Sequence, residues 1–228
     1  MFDGIARRYD TLNHLLSAGL DRRWRRRAVH ALALQGRERA LDVCTGTADL
    51  AIGLATDARG RAHDVVGLDF ATEMLRRARL KLATAKLSHR VRIVRGDATT
   101  LPFPDASFDV ATIAFGIRNV VDPLAACREL SRVLRAGGRL AILEFGQPRI
   151  PGIRTAYRWY FQYLLPRVGR AVSKHDEAYS YLPASVATFP TGDDFVRLLA
   201  QAGFVSARYV SLSFGIVYLY VAEKTGPR

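Results

Sequence analysis

Residues 40–146 predict an α/β fold, with a parallel sheet covered by helices on both faces. Three observations carry that prediction. Short, almost wholly apolar runs alternate with amphipathic helical stretches, the pattern of strands buried on both sides. Three of those runs end in or beside an aspartate: Asp42, Asp69 and Asp97. The chain also has 228 residues, 49% hydrophobic and 24% charged, which suits a single globular core and excludes disorder, collagen and coiled coil.

The elements follow in order. The first forty residues read as helical, with Tyr9, Leu12, Leu15 and Leu16 near helical spacing, interrupted at Gly19. An arginine-rich stretch, Leu20 to Arg27, comes next. Ala40–Cys44 is the first strand and runs into a Thr/Gly loop. Val65–Asp69 is the second, and Met74, Leu75, Ala78 and Leu82 mark the helix face after it. Val91–Val94 is the third strand and closes near Gly96-Asp97. Phe108–Phe115 is the fourth. The following helix has Asp122 as cap and Pro123 in its first turn, with Gly137-Gly138 as its stop. Leu140–Phe145 is the fifth strand. Ile153 to Val172 reads as a helix rich in aromatics and arginines, including Tyr157, Trp159, Arg154 and Arg167. Thr191 resembles an N-cap with Asp194 three residues on, and Gly203 closes that helix. Residues 207–221 read as one or two strands broken near Phe214-Gly215.

Charge and cysteine content narrow the function. Thirty-four basic against 21 acidic residues leave +13, which implies attraction to something anionic, nucleic acid or membrane surface. Two cysteines, Cys44 and Cys127, build no disulfide framework and match a reducing compartment. No run of 18 apolar residues predicts a membrane span, and no apolar h-region predicts a signal peptide. No Cys/His spacing predicts a metal site.

In open α/β sheets, ligands sit outside the carboxyl ends of the strands. The first such loop is Asp42-Val43-Cys44-Thr45-Gly46-Thr47-Ala48-Asp49. It lacks both the G-x-G-x-x-G fingerprint and the Gly-Lys-Ser/Thr of a P-loop. Gly46 lets backbone approach a ligand, and the flanking acids Asp42 and Asp49 suit a cationic group rather than phosphate. Asp69 is placed to accept both hydroxyls of a ribose, and Asp97-Ala98 to read an adenine edge. The ligand these features predict is S-adenosylmethionine, an adenosine joined to a cationic, phosphate-free amino acid.

The same residues, with Leu134–Leu140, resemble the class I S-adenosylmethionine-dependent methyltransferases. Three further stretches, Met1–Asn13, Ala114–Val120 and Tyr179–Pro183, resemble the ubiquinone/menaquinone biosynthesis C-methyltransferase family. The resemblance spans nearly the whole chain. It implies a Rossmann-like, seven-stranded, mostly parallel sheet with helices on both faces and the last strand antiparallel. It implies one methyltransferase domain over 1–228: an N-terminal helical lid (1–39), a cofactor-binding core (40–146), a helical substrate and membrane cap (147–190) and a C-terminal helix with strands (191–228). Carried over by position, Thr47, Asp69, Asp97, Ala98 and Ala114 hold the cofactor, beside Gly46 and Asp42. Ala48 and Ala114 depart from the family's commoner Gly and Ser.

The implied reaction is methylation of a ring carbon of a polyprenylated hydroquinone. The loop sequence leans toward demethylmenaquinol over the ubiquinone precursor, and an RNA methyltransferase is the rival from another class. No Asn/Asp-Pro-Pro-aromatic motif is present for base amines, and neither cysteine is placed for pyrimidine chemistry. Arg118 and Asn119 are expected to hold and polarise the phenolic oxygen, the competing reading being that Arg118 pairs with a local carboxylate. Tyr9, Asp10, His14, His175 and Tyr179–Tyr181 are candidate lid or base residues. The expected location is cytoplasmic, with peripheral contact to an anionic membrane surface through 153–172 and the arginine run. No nucleic acid partner is expected, and a homo-oligomer is left open.

Overall fold

The structure, a computed structural model, describes Ser17, residues 19–148, 150–159, Ser185, Val186 and residues 188–226. Tyr9, Asp10, His14, His175 and Tyr179–Tyr181 lie outside the described residues, as does most of the expected cap.

Seven strands form one sheet: β1 (Arg39–Val43), β2 (Asp64–Asp69), β3 (Val91–Arg95), β4 (Phe108–Ala114), β5 (Leu134–Phe145), β6 (Phe204–Leu212) and β7 (Val217–Lys224). Their order is β3-β2-β1-β4-β5-β7-β6. β1 to β5 run parallel, and β7 is antiparallel to both β5 and β6. The helices are α1 (Leu20–Ala31), α2 (Asp49–Thr56), α3 (Thr72–Thr84), α4 (Pro123–Val133), α5 (Pro151–Trp159) and α6 (Asp193–Gln201).

Side-chain alternation along the strands builds two cores. Leu41, Val43, Ala111, Ile113, Leu140 and Ile142 pack with α4 and α6 on one face. Ala40, Val65, Val110, Ala141 and Leu143 pack with α1, α2 and α3 on the other. This period-2 partition, with both faces covered, is why the central strands read as continuous apolar runs. Order reverses at β1, whose neighbours β2 and β4 lead away to either side. The crevice beyond the carboxyl ends of β1 and β4 is therefore the topological switch point.

Two local expectations are overturned. α4 is capped by Asp122, whose Oδ1 accepts from Ala125 N at 2.9 Å, but it ends at Val133. Gly137 and Gly138 lie inside β5, because Leu134 already pairs with Phe108 and the chain enters the sheet at once. Thr191 does not cap α6. Gly192 holds that position without a side-chain cap, and its amide donates to Tyr220 Oη at 2.8 Å. A buried tertiary acceptor replaces the local one. The strand break near Phe214-Gly215 is present as a 3₁₀ turn over Ser213–Gly215. α5 covers the described start of the expected 153–172 helix, and Trp159 at its end is 57% exposed.

Candidate active site

The loop after β1 is held in an unusual conformation. Cys44, Gly46 and Ala48 have φ of 54°, 56° and 69°, and two of the three are not glycine. Left-handed backbone costs of order 1 kcal/mol or more for such residues, so the surroundings must impose it. Asp42 supplies much of the constraint. Its carboxylate accepts from Thr45 Oγ1 at 2.6 Å and from Thr112 Oγ1 at 2.7 Å, tying the loop to β4. Thr45 N also donates to Leu68 O at 3.0 Å. Burial pushes the Asp42 carboxyl up to about 6, against the pull of the two hydroxyls and Arg25. Its exposure is 1%, and it braces the loop from within.

Asp69 ends β2 and faces the same loop. Its Oδ2 accepts from Gly46 N at 2.8 Å and its Oδ1 from Ala71 N at 2.9 Å. These two amides hold the carboxylate at the rim of the loop, beside Gly46. A Cβ on Gly46 would meet nothing within 4 Å, which leaves open space for a ligand against the backbone. Asp97 lies two residues past β3. Its Oδ1 accepts from Thr99 N and Thr99 Oγ1, both at 2.8 Å, and the residue is exposed. Ala98 beside it is buried.

Two further loop residues have partners from the neighbouring helices. Thr47 is buried, with its hydroxyl 3.5 Å from Lys81 Nζ. Asp49 pairs with Lys81 and lies 3.7 Å from Arg25 Nη2. The acids at both ends of the loop are thus engaged inside the protein, and the carboxylate bordering the open space is that of Asp69.

The end of β4 forms the other wall. Ala114 is its last residue, and Phe115 follows with φ of 59°. At Gly116 any Cβ would collide with Cys44 Cβ, so glycine lets the turn press against the first loop. Arg118 and Asn119 occupy the 3₁₀ turn Ile117–Asn119. Arg118 Nη1 donates to Glu144 Oε1 at 2.6 Å and to Phe115 O at 2.7 Å, and its Cζ lies 5.2 Å from the Phe145 ring centroid. Glu144 is fully buried near the end of β5 and also accepts from Phe145 N at 2.8 Å. The competing expectation for Arg118, a local carboxylate partner, is therefore present in the geometry. Yet two buried atoms here have no hydrogen-bond partner among the described residues: Arg118 Nε and Asn119 Oδ1. Buried polar groups are rarely left so without a role.

Glu144 was not singled out from the sequence, although an acid inside the apolar run Leu140–Phe145 is the same signal that Asp42 and Asp69 give. Burial, reinforced by nearby carboxylates, pushes the Cys44 thiol far above the ordinary range, which keeps it protonated near neutral pH. Among the described residues no His/Cys/Asp/Glu group has metal-binding geometry.

The sequence model of the ubiE/COQ5 methyltransferase family matches residues 1–224. The chain belongs to that family. A protein of Thermus thermophilus named demethylmenaquinone methyltransferase is 48% identical over 224 residues, covering 98% of this chain and all of its own length (100%). A protein of Geobacter sp. strain M21 named ubiquinone/menaquinone biosynthesis C-methyltransferase is 45% identical over 224 residues, 98% of this chain and 94% of its own. A solved SAM-dependent methyltransferase from Aquifex aeolicus superposes with a TM-score of 0.64 at 20% identity, over 87% of this chain and 88% of that one. At that identity the likeness speaks to the fold alone, which is the Rossmann-like methyltransferase sheet. Within the ubiE/COQ5 family frame, the open space at Gly46, the Asp69 carboxylate beside it and the Arg118 turn that follows Gly116 all lie at the carboxyl ends of β1, β2 and β4. These features fit a phosphate-free nucleoside on one wall and an acceptor on the other.

Proposed function

We propose that this protein methylates a ring carbon of demethylmenaquinol, with S-adenosylmethionine as donor, at the closing stage of menaquinone synthesis. The carrying observation is the family match across residues 1–224, joined to 48% identity with a demethylmenaquinone methyltransferase.

Asp69 accepts the ribose hydroxyls, Gly46 clears backbone for the nucleoside, and Asp97 with Ala98 borders the adenine. Ala114 lines the wall between nucleoside and acceptor through its backbone. Thr47 and Asp42 complete the cofactor-holding loop around Gly46. When bound, S-adenosylmethionine supplies an electrophilic methyl group.

The acceptor side must make the ring carbon nucleophilic. Loss of the phenolic proton places charge on oxygen and on the adjacent carbon, and a fixed cation beside that oxygen lowers the barrier. Arg118 is that cation. Glu144, the Phe115 carbonyl and the Phe145 ring fix its guanidinium before substrate arrives, so little reorganisation is needed. Asn119 Oδ1 receives a substrate hydroxyl. Arginine stays protonated, so the proton passes to a water that the guanidinium orients.

The acceptor's polyprenyl tail belongs to a bilayer, and the protein works as a peripheral enzyme on its cytoplasmic face. Among the described residues no helix is long and apolar enough to cross a membrane. Transfer of labelled methyl from S-adenosylmethionine to extracted demethylmenaquinols tests the reading, with the benzoquinol precursor of ubiquinone and RNA as parallel acceptors. Label in demethylmenaquinol is the expected result. Label in RNA alone, or in none of the acceptors, overturns it.

A further inference from the structure

We infer that the carboxyl edge of the sheet, where α1 meets the β6–β7 turn, is the face that docks on an anionic lipid bilayer. The inference rests on the proposed lipid-tailed acceptor and adds where the bilayer sits.

The geometry is contiguous. β5 ends at Phe145, opposite Val217 at the start of β7, and Leu212 at the end of β6 also pairs with Val217. The Ser213–Gly215 turn therefore projects from the same edge as the crevice. Trp24 Nε1 donates to Ser213 Oγ at 3.0 Å, which anchors the first turns of α1 beside that turn. A Cβ on Gly215 would lie 3.2 Å from Pro148 Cα, so the chain leading to Ile150 passes the turn as well.

What this edge shows to solvent is mixed in a particular way. Phe214 is 67% exposed, Ile150 50% and Leu20 39%. A large exposed aromatic at a turn tip needs an explanation that a solvated loop does not give. Beside these apolar tips, Arg22, Arg23 and Arg26 are exposed on α1, and none has a carboxylate partner among the described residues. Arg22 and Arg26 also rim a cleft of about 650 Å³ between α1 and α2, whose lining includes Arg59 as well as Asp49 and Asp57. Apolar tips ringed by unpaired arginines match the headgroup boundary of an anionic membrane, where the tips enter and the cations meet lipid charge. The net charge of +13 adds long-range attraction of the same sign. Docked this way, the crevice bounded by Asp69 and Arg118 opens toward the leaflet that holds the acceptor.

The test uses the full chain, sedimented with phosphatidylglycerol/phosphatidylcholine vesicles, with pure phosphatidylcholine vesicles and with RNA. Three proteins are compared: wild type, Phe214→Asn, and the double variant Arg22→Ser/Arg23→Ser. Wild type is expected on the anionic vesicles in a salt-sensitive way and weakly on the neutral ones. Removing two arginines should weaken partition about 25-fold, a factor of about five each, and Phe214→Asn about tenfold. Methylation of a short-tailed, water-soluble demethylmenaquinol should be unchanged in both variants, which also shows that they fold. Unchanged vesicle binding in the variants overturns the inference, as does binding to RNA without binding to vesicles. Absence of methylation by wild type on the short-tailed quinol would instead defeat the proposed reaction, independently of where the lipid docks.

Discussion

The two walls of the crevice are built by different physics. On the wall from β1 and β2, carboxylates accept from neutral donors: hydroxyls of Thr45 and Thr112 on Asp42, backbone amides of Gly46 and Ala71 on Asp69. On the wall from β4 and β5, a buried carboxylate meets a guanidinium, with an aromatic face beside it. A neutral-donor lattice shapes a cradle without adding charge, which suits a ligand that brings its own cation. An ion pair pins a cation where, in the proposed reaction, negative charge develops. In that proposal one wall binds and the other activates.

Substitutions can break this division, and the largest effect is expected at Arg118. Arg118→Ala should lower kcat by roughly 10²–10³, the usual range for removing one preorganised donor to a developing anion. S-adenosylmethionine affinity by calorimetry should stay within about twofold. A parallel loss of cofactor binding would show that the walls are not separate. Next comes Glu144→Ala, which leaves the Arg118 charge buried beside no carboxylate and should cost about 3 kcal/mol in urea unfolding. Glu144→Gln, keeping shape and one acceptor, should recover much of that stability while kcat stays reduced.

Asp42 sharpens the contrast through pH. Its carboxyl is raised to about 6 in the fold, against 3.8 for a free aspartate side chain. Between those values the folded state binds more protons than the unfolded one, so this group's contribution falls as pH rises through the window. Asp42→Asn should therefore gain on wild type from pH 4 to pH 6, by about 3 kcal/mol at most, at about 1.4 kcal/mol per pH unit. A stability difference that does not change with pH would mean that the wild-type carboxylate is ionised at no such cost. The smallest effect belongs to Gly46→Ala. Its φ of 56° costs about 1 kcal/mol for alanine, while the added methyl meets no protein atom within 4 Å. Thermal shift should fall little without S-adenosylmethionine, and the stabilisation on adding it should largely vanish.

The same contrast explains what was legible in the sequence. The first wall is local: Asp42 and Thr45 are three residues apart, and Asp69 closes the next strand. Strand-end acids and a glycine loop therefore advertised it. The second wall joins residues 26 apart in sequence, brought together by the parallel register of Ala114 with Leu143. Arg118 was reachable only through a resemblance, and Glu144 was read as just another strand residue. Asp49 shows the opposite failure. Its position promised a ligand contact, but Lys81 from α3 reaches it first. The strands and their alternation with helices were plain, because burial on both faces writes itself into composition. The Thr191 cap and the Gly137-Gly138 stop failed where a tertiary partner, Tyr220 or Phe108, outbid the local motif.

The contact between Gly116 and Cys44 has a consequence for how such an enzyme can change. Residue 116 cannot gain a Cβ while residue 44 keeps one in the same place, so an evolving lineage that enlarges residue 116 must first trim residue 44 to glycine. Directed evolution of acceptor preference around the Arg118 turn will therefore stall on single substitutions at 116 and advance only through paired ones.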